Sequence, residues 1–274
     1  EHEPAPGLGR DGGSAVKILV KLGGTLLDNA DSRARLCTEI AAVALREQTV
    51  VVHGGGKQMT RFLAERGVQS QFVGGLRVTT PEVVDALLKV FAGSVNHELV
   101  SALVKAGARA VGLSGIDDCL VEAETLRPEL GAVGRPVRAN AGLLNVLTDN
   151  GFLPVVACVA GNREGGIFNV NADQMAVACA SGYQASQLLF LTDVPGVRGT
   201  GEAILPRLTV AQAQALIEQG IATGGMQAKL EAACKALADG VGEVRILPGA
   251  EPDIIARTLA GEAIGTRLVP EAAS

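Results

Sequence analysis

Five polar residues stand where apolar runs end or helical patterns begin: Lys21, Arg77, Asn169, Asp173 and Lys229. Glycines accompany them at Gly23–Gly24, Gly54–Gly56 and Gly224–Gly225. Glycine lets a backbone approach a ligand closely, and the amides that open a helix favour an anion. These are the parts that phosphoryl transfer uses: cations on the spreading charge, amides around the oxygens, and in-line positioning. Two lysines would serve the donor phosphates and the phosphoryl group in flight. An aspartate between them would hold them apart and could help organise Mg²⁺. The planar fork of Arg77 suits a carboxylate, at about 1.5–3 kcal/mol for a hydrogen bond to a charged group. Taken singly, the residues have plainer readings. Lys21 can snorkel from a core strand, Asp173 can be an ordinary helix-start charge, and Lys229 can sit on a solvated face.

The elements that must position them follow one repeated pattern. Val16–Leu27 (VKILVKLGGTLL) is a short apolar run, a lysine, two glycines and the start of a helical pattern. An apolar run of that length stopped by glycine predicts a buried strand. Asp31–Gln48 has helical spacing at Leu36, Ile40, Val43 and Ala44, and Thr49–Val52 is the next strand, running into HGGGKQM at His53–Met59. A helix to Arg66 follows, stopped by Gly67. Two strand–glycine–helix units imply an α/β fold with a parallel sheet and a ligand at its carboxyl edge. Downstream, Thr80-Pro81-Glu82 starts a helix that runs to about Lys105, its apolar stripe assigned to core or a subunit contact. Arg109–Leu113 reads as a strand, Asp117–Arg138 as hairpins, Asn140–Asn150 as a short helix and Phe152–Gly161 as one buried strand. Asn171 suits an N-cap, with Asp173 in the first turn behind it. Then come a strand at Gln187–Leu191, the turn LTDVPGV, a helix at Leu208–Gln219, a helix opened by Gly224–Gly225, a strand at Glu243–Leu247 and a last edge strand at Gly265–Val269.

Neither standard phosphate motif is present. A Walker A loop would need glycine at Val51 and Ser or Thr at Gln58, and a dinucleotide fingerprint would need glycine at Met59. Composition narrows the rest. Among 274 residues, 35 glycines against 3% aromatics point to glycine loops and aliphatic packing. A net charge of -5 argues against a nucleic-acid partner, and no apolar run approaches the roughly 18 residues of a membrane span. Five dispersed cysteines read as reduced thiols of a cytoplasmic protein, and three histidines make a His-rich metal site improbable. Residues 1–15, polar and rich in Gly and Pro, read as a disordered leader without the features of a signal peptide.

In order, KLGG, HGGGKQM, GLRVT, FNVNADQMA, LTDVPGV and GGM-x-x-K closely resemble the acetylglutamate kinases of the amino acid kinase superfamily, over about residues 16–270. The resemblance implies a three-layer αβα sandwich with a mainly parallel central sheet. It implies an N-terminal lobe, residues 16–175, for the amino-acid substrate and a C-terminal lobe, 176–274, for ATP. The activity implied is transfer of the γ-phosphate of ATP to the side-chain carboxylate of N-acetyl-L-glutamate, in arginine biosynthesis. By matching motif, Lys21 and Lys229 would stabilise the transferring phosphoryl group, with Asp173 organising both. Gly54, Gly55, Gly56, Arg77 and Asn169 would hold the acceptor, Arg77 and Asn169 taking its α-carboxylate. Lys21, Gly23, Gly24, Thr192, Asp193, Gly196, Gly225, Met226 and Lys229 would border ATP, with Mg²⁺ carried by the nucleotide rather than by side chains. Relatives inhibited by arginine carry an N-terminal helix that links dimers into a hexamer. Pro4, Pro6 and the glycines of the leader do not suit one, so a homodimer weakly or not inhibited by arginine is expected. Cys158–Gly161 departs from the usual lead-in to the NVNAD block, which leaves acyl specificity open. N-succinylglutamate, N-acetyl-aminoadipate, or nucleotide binding without catalysis on the same fold are the alternatives.

Overall fold

The computed structural model describes residues 16–201 and 203–271, so the leader lies outside the described residues. Its centre is an eight-stranded sheet in the spatial order Arg207–Thr209, Thr266–Val269, Glu243–Pro248, Gln187–Thr192, Lys17–Leu22, Gln48–His53, Leu153–Ala157, Ala110–Ser114. All neighbours are parallel except Glu243–Pro248 with Thr266–Val269. The three middle strands are buried almost end to end, which requires cover on both faces. Helices Gly142–Asp149, Ala172–Tyr183, Val210–Glu218 and Gly224–Ala238 pack together as one layer. Gly24–Asp28, Ala30–Ala44, Gly56–Ala64 and the helical run from Pro81 form the other. The result is the expected α/β fold with a large, mainly parallel central sheet. Leu22, Val52 and Phe190 are fully enclosed, and burying each such side chain contributes about 1.5–3 kcal/mol.

Parallel strands end at one edge, and the register brings specific residues there. Lys21 is flanked by Val52 on one side and Phe190 on the other, and Leu22 by His53 and Leu191. Beside the main sheet stand a four-stranded sheet, Ile167–Asn169, Val159–Gly161, Val121–Thr125 and Gly134–Ala139, and a hairpin of Phe72–Val73 with Leu76–Arg77. The hairpin turns on Gly74 and Gly75, whose φ values of 55° and 78° suit a two-residue type I′ loop.

The sequence pattern misplaces several elements. Phe152–Gly161 is two strands, broken at Cys158, the first in the main sheet and the second in the small one. An unbroken apolar run carries no sign that its pairing partner changes. Leu208 belongs to the strand Arg207–Thr209, because Thr209 is the N-cap of a capping box with Gln212 and the helix starts only at Val210. That short strand is the sheet edge, and Thr266–Val269 lies one place inward. The helix Ile254–Leu259 has no counterpart in the sequence reading; at six residues it is too short for a periodic signal. Pro81–Lys105 is 25 residues long and contains an 18-residue stretch with a mean hydropathy of 1.2, enough by length and composition to cross a membrane, where the sequence reading expected no run to come close. Here its Val83, Leu87, Phe91, Leu99 and Leu103 are buried in the fold, and Glu82, Asp85, Lys89 and Lys105 interrupt it. All five cysteines are free thiols.

Gly265, at φ 65°, sits where a Cβ would press on the carbonyl oxygen of Ile246 in the adjacent strand. Gly265→Ala should therefore lower stability by about 2 kcal/mol or more, read as a fall in the urea midpoint with an unchanged m-value.

Candidate active site

Lys21 leaves its strand one residue before the end and is only 6% exposed. Its Nζ lies 2.6 Å from Oδ1 of Asp173. Asp173 occupies the first turn of Ala172–Tyr183, where Asn171 caps the helix by accepting from the amides of Asp173 and Gln174 at 2.9 and 3.3 Å. Lys229, in the second turn of Gly224–Ala238, places Nζ 3.4 Å from the other oxygen, Oδ2. Burial alone would raise the Asp173 pKa, but the two ammonium groups outweigh it and hold the carboxyl below its usual range. Two lysines and one carboxylate leave one net positive charge at the carboxyl edge of the sheet. Such a cluster suits an anion.

The glycine loops close around it. A Cβ on Gly24 would stand 3.7 Å from the Gly56 amide, and one on Gly54 3.3 Å from Cβ of Ala172, so both loops and the helix start of Asp173 meet. The Gly23 amide donates to the Leu191 carbonyl at 3.1 Å, which ties its loop to the next strand and leaves anion contact to later amides. Gly24 and Gly56 each open a helix, where the first amides have no intrahelical acceptor.

Arg77 and Asn169 form a second cluster. The Arg77 guanidinium is buried, and burial lowers its pKa. It donates to the Gly56 carbonyl at 3.1 Å, to Thr60 Oγ1 at 2.8 Å and to Ser70 Oγ, and lies 4.7 Å from the centre of the Phe72 ring. Among the described residues no carboxylate pairs with it. A buried cation without an anion is costly, and this one is held against the glycine loop by neutral oxygens only. Asn169 Nδ2 donates to Thr79 Oγ1 at 3.0 Å, and that hydroxyl donates to the Arg77 carbonyl at 2.9 Å. Thr79, Thr60 and Ser70 therefore join the candidate site, though nothing in their local sequence marks them. A groove of about 680 Å³ beside this cluster, lined by Thr79, Thr80, Pro81, Gly131 and Ile167, lies away from the lysines.

The residues expected to border a nucleotide are placed in the other half of the chain. Thr192 ends the strand beside Lys21's, with its hydroxyl 3.2 Å from Asp193 Oδ1 and its carbonyl accepting from Gly249 at 2.8 Å. At Gly196 a Cβ would meet Ile204 Cγ2 at 2.7 Å and Thr266 Oγ1 at 2.9 Å, so this glycine is needed for packing the turn onto the sheet. Gly225 and Met226 lie in the first turn of Gly224–Ala238, whose N-cap Thr223 makes no side-chain cap. No hydrogen bond or ion pair joins Thr192, Asp193 or Gly196 directly to the lysine cluster among the described residues. Likewise, no three His, Cys, Asp or Glu side chains come together to hold a metal there.

Cations and backbone amides at the carboxyl edge of a mainly parallel sheet define an anion-handling α/β protein of the phosphotransferase type. The chain belongs to the amino acid kinase family, whose model matches residues 16–248. It is 65% identical to the acetylglutamate kinase of Solibacter usitatus (strain Ellin6076), over 93% of this chain and 99% of that one. Against the acetylglutamate kinase of Koribacter versatilis (strain Ellin345) the identity is 40%, with the same coverage of 93% and 99%. Among solved structures, N-acetylglutamate synthase from Neisseria gonorrhoeae, complexed with coenzyme A and N-acetyl-glutamate, matches at a TM-score of 0.84 and 25% identity. The match covers 94% of this chain but 60% of that longer one. Giardia carbamate kinase shares the fold, at a TM-score of 0.69, 18% identity, and coverage of 94% and 100%.

Replacing Asp173 by Asn leaves two lysines facing an uncharged group, and breaking a buried pair costs about 3–5 kcal/mol. Because folding lowers the Asp173 pKa, the unfolded chain binds more protons in that window, and stability rises with pH across it. The contribution is complete above the ordinary value of 3.8 and is lost as the pH falls through the lower folded value. Asp173→Asn should be less stable at pH 7 and should lose less on acidification below pH 3.8 than the wild type, measured by urea midpoints at both ends.

Proposed function

We propose that this protein transfers the γ-phosphate of ATP to the side-chain carboxylate of N-acetyl-L-glutamate, giving N-acetylglutamyl 5-phosphate and ADP, as a step of arginine biosynthesis. The observation that carries this reading is the 65% identity to an acetylglutamate kinase along nearly the whole chain. The Lys21–Asp173–Lys229 cluster supplies a chemistry to match it.

In this reading Lys21 neutralises charge on the phosphoryl group in flight, and Lys229 does so from the ATP side. Asp173 holds both ammonium groups in place and takes no proton itself, since its pKa is depressed. Amides from Gly24 onward, with those of the 54–56 loop, receive phosphoryl oxygens and the acceptor, while Gly23 ties its loop to Leu191, and Arg77 with Asn169 takes the α-carboxylate. A bound carboxylate would give the buried Arg77 the anion that it lacks among the described residues. Thr192, Asp193, Gly196, Gly225 and Met226 border the nucleotide. Residues 16–175 then form the acceptor lobe and 176–274 the ATP lobe, in support of which the strand pair Lys17–Leu22 and Gln187–Thr192 joins one half of the sheet to the other. Asp173, the carboxylate of the lysine cluster, is already held by two lysines, and among the described residues no group of three His, Cys, Asp or Glu side chains fits a resident metal; Mg²⁺ would arrive on the nucleotide phosphates. A homodimer completes the proposal, and light scattering at twice the mass of the 28.0 kDa chain tests it.

Hydroxylamine trapping of the acyl phosphate across a panel of acceptors decides the substrate. N-acetyl-L-glutamate should outrun N-succinylglutamate, N-acetyl-aminoadipate and aspartate; equal or better turnover of any of these overturns the assignment. Lys21→Ala should cut kcat by about 100-fold or more while ATP affinity changes little, because the interaction is strongest in the transition state. Arg77→Lys should raise KM for the acceptor by about tenfold, since a point charge cannot replace a two-pronged fork, with kcat less affected.

A further inference from the structure

His53 ends the strand beside Lys21's and is fully enclosed. Its Nδ1 lies 2.8 Å from the carbonyl oxygen of Gly54, which can only accept, so Nδ1 carries the proton. Its Nε2 lies 3.0 Å from Nδ2 of Asn96, which also donates to the Val155 carbonyl at 2.9 Å. The opposite orientation of the Asn96 amide would set oxygen against the Val155 carbonyl. As placed, Oδ1 rests on Gly112, where any Cβ would overlap it. Asn96 is therefore the donor, Nε2 the acceptor, and the ring is neutral with its proton on Nδ1. Burial pushes the His53 pKa down to about 4 against the opposing effect of the Gly54 bond, which agrees with a neutral ring near pH 7.

The same loop is pressed from the side. A Cβ on Gly55 would stand 2.9 Å from Cδ1 and Cε1 of Phe91 and 3.4 Å from Cγ2 of Val95. Phe91 and Val95 belong to a π-helical stretch, Leu88–Val95, and Asn96 follows at once. In a regular α-helix Asn96 would point roughly 140° away from Phe91, at about 100° per residue. The i→i+5 spacing of the π-helix brings residues five apart onto one face, so Phe91 and Asn96 can both bear on the end of the Gln48–His53 strand.

We propose that the π-helical stretch, Asn96 and His53 form a brace whose task is to fix the Gly54–Gly55 peptide plane, making His53 and Asn96 positioning residues for phosphoryl transfer. A trans peptide is planar, so holding the Gly54 carbonyl toward the His53 ring turns the Gly55 N–H the opposite way and keeps it there. That amide is one of those the acceptor and phosphoryl group would use; this part rests on the function proposed above. His53 and Asn96 are themselves buried behind the loop, and the brace supplies no proton.

His53→Asn keeps a donor near the Nδ1 position and His53→Gln keeps a polar group near Nε2, so the pair separates the Gly54 bond from the Asn96 bond. Each is compared with His53→Ala and Asn96→Ala, with unfolding midpoints as the control for stability. Expected results are a kcat loss of about tenfold to 100-fold for His53→Gln and His53→Ala, a smaller loss for Asn96→Ala, which leaves the Gly54 bond in place, little change in KM for ATP, and substantial recovery of kcat in His53→Asn. Losses that follow the unfolding midpoints, or equal losses in His53→Asn and His53→Gln, would overturn the brace. A second readout does not need the substrate to be right: in ¹⁵N spectra of the free wild type, His53 should show a protonated Nδ1 and a bare Nε2. In the same spectra the Gly55 amide resonance should move in His53→Gln more than in His53→Asn. A protonated Nε2, or an unmoved Gly55 amide, refutes the proposal. Failure of the wild type to phosphorylate N-acetyl-L-glutamate, with these spectra as expected, would sink the proposed substrate and leave the brace standing.

Discussion

Everything at the carboxyl edge of the sheet depends on Asp173 being shared by two lysines. Lys21 is almost fully buried at the end of a central strand, where an ammonium without an anion would be expelled or deprotonated. Asp173 supplies the anion from the first turn of a helix, where its charge also meets the helix dipole. Lys229 approaches from a separate helix, so three elements that are distant in sequence become one unit. The arrangement is no device for stability, since buried ion pairs seldom repay their desolvation. What it provides is one surplus positive charge fixed in a water-poor place, which is worth most to an anion that brings charge with it.

Around that charge the fold uses absence of side chains as a building material. Gly24 and Gly54 let two loops and the start of a helix approach within van der Waals distance, and Gly55 admits Phe91 where any Cβ would collide. The π-helical stretch is the companion of Gly55, because the bulky ring and the bare backbone occupy the same space. Arg77 then reaches back to the Gly56 carbonyl from a short hairpin, so that the Arg77–Asn169 cluster and the lysine cluster share one loop. Movement of that loop would disturb both, which is why its support from behind, by His53 and Asn96, matters to function.

Where pattern and structure part, the cause is pairing or length. The apolar run through Cys158 serves two different sheets, and hydrophobicity records burial, not the identity of the neighbouring strand. Leu208 and Thr209 read as helix start because Thr209 is a cap whose own backbone is extended. Thr60, Ser70 and Thr79 could not be found in advance, since a hydroxyl joins a site only when a tertiary neighbour turns toward it.

By itself, the sequence determined the alternation of short aliphatic strands and helices, the glycines at strand ends, and the identity of the charged residues. These are local matters of side-chain size, periodicity and backbone freedom, and the spacing of Asn171 and Asp173 even determined a helix cap with its charge. Only the tertiary structure decided that Lys21 and Lys229, 208 positions apart, meet at the two oxygens of one carboxylate. It also decided that Arg77 is a buried cation without an anion among the described residues, and that a π-helix sets Phe91 and Asn96 against the glycine loop. The physical reason is common to all three. Strand order and helical register set which distant side chains share a dielectric environment, and no local pattern encodes that.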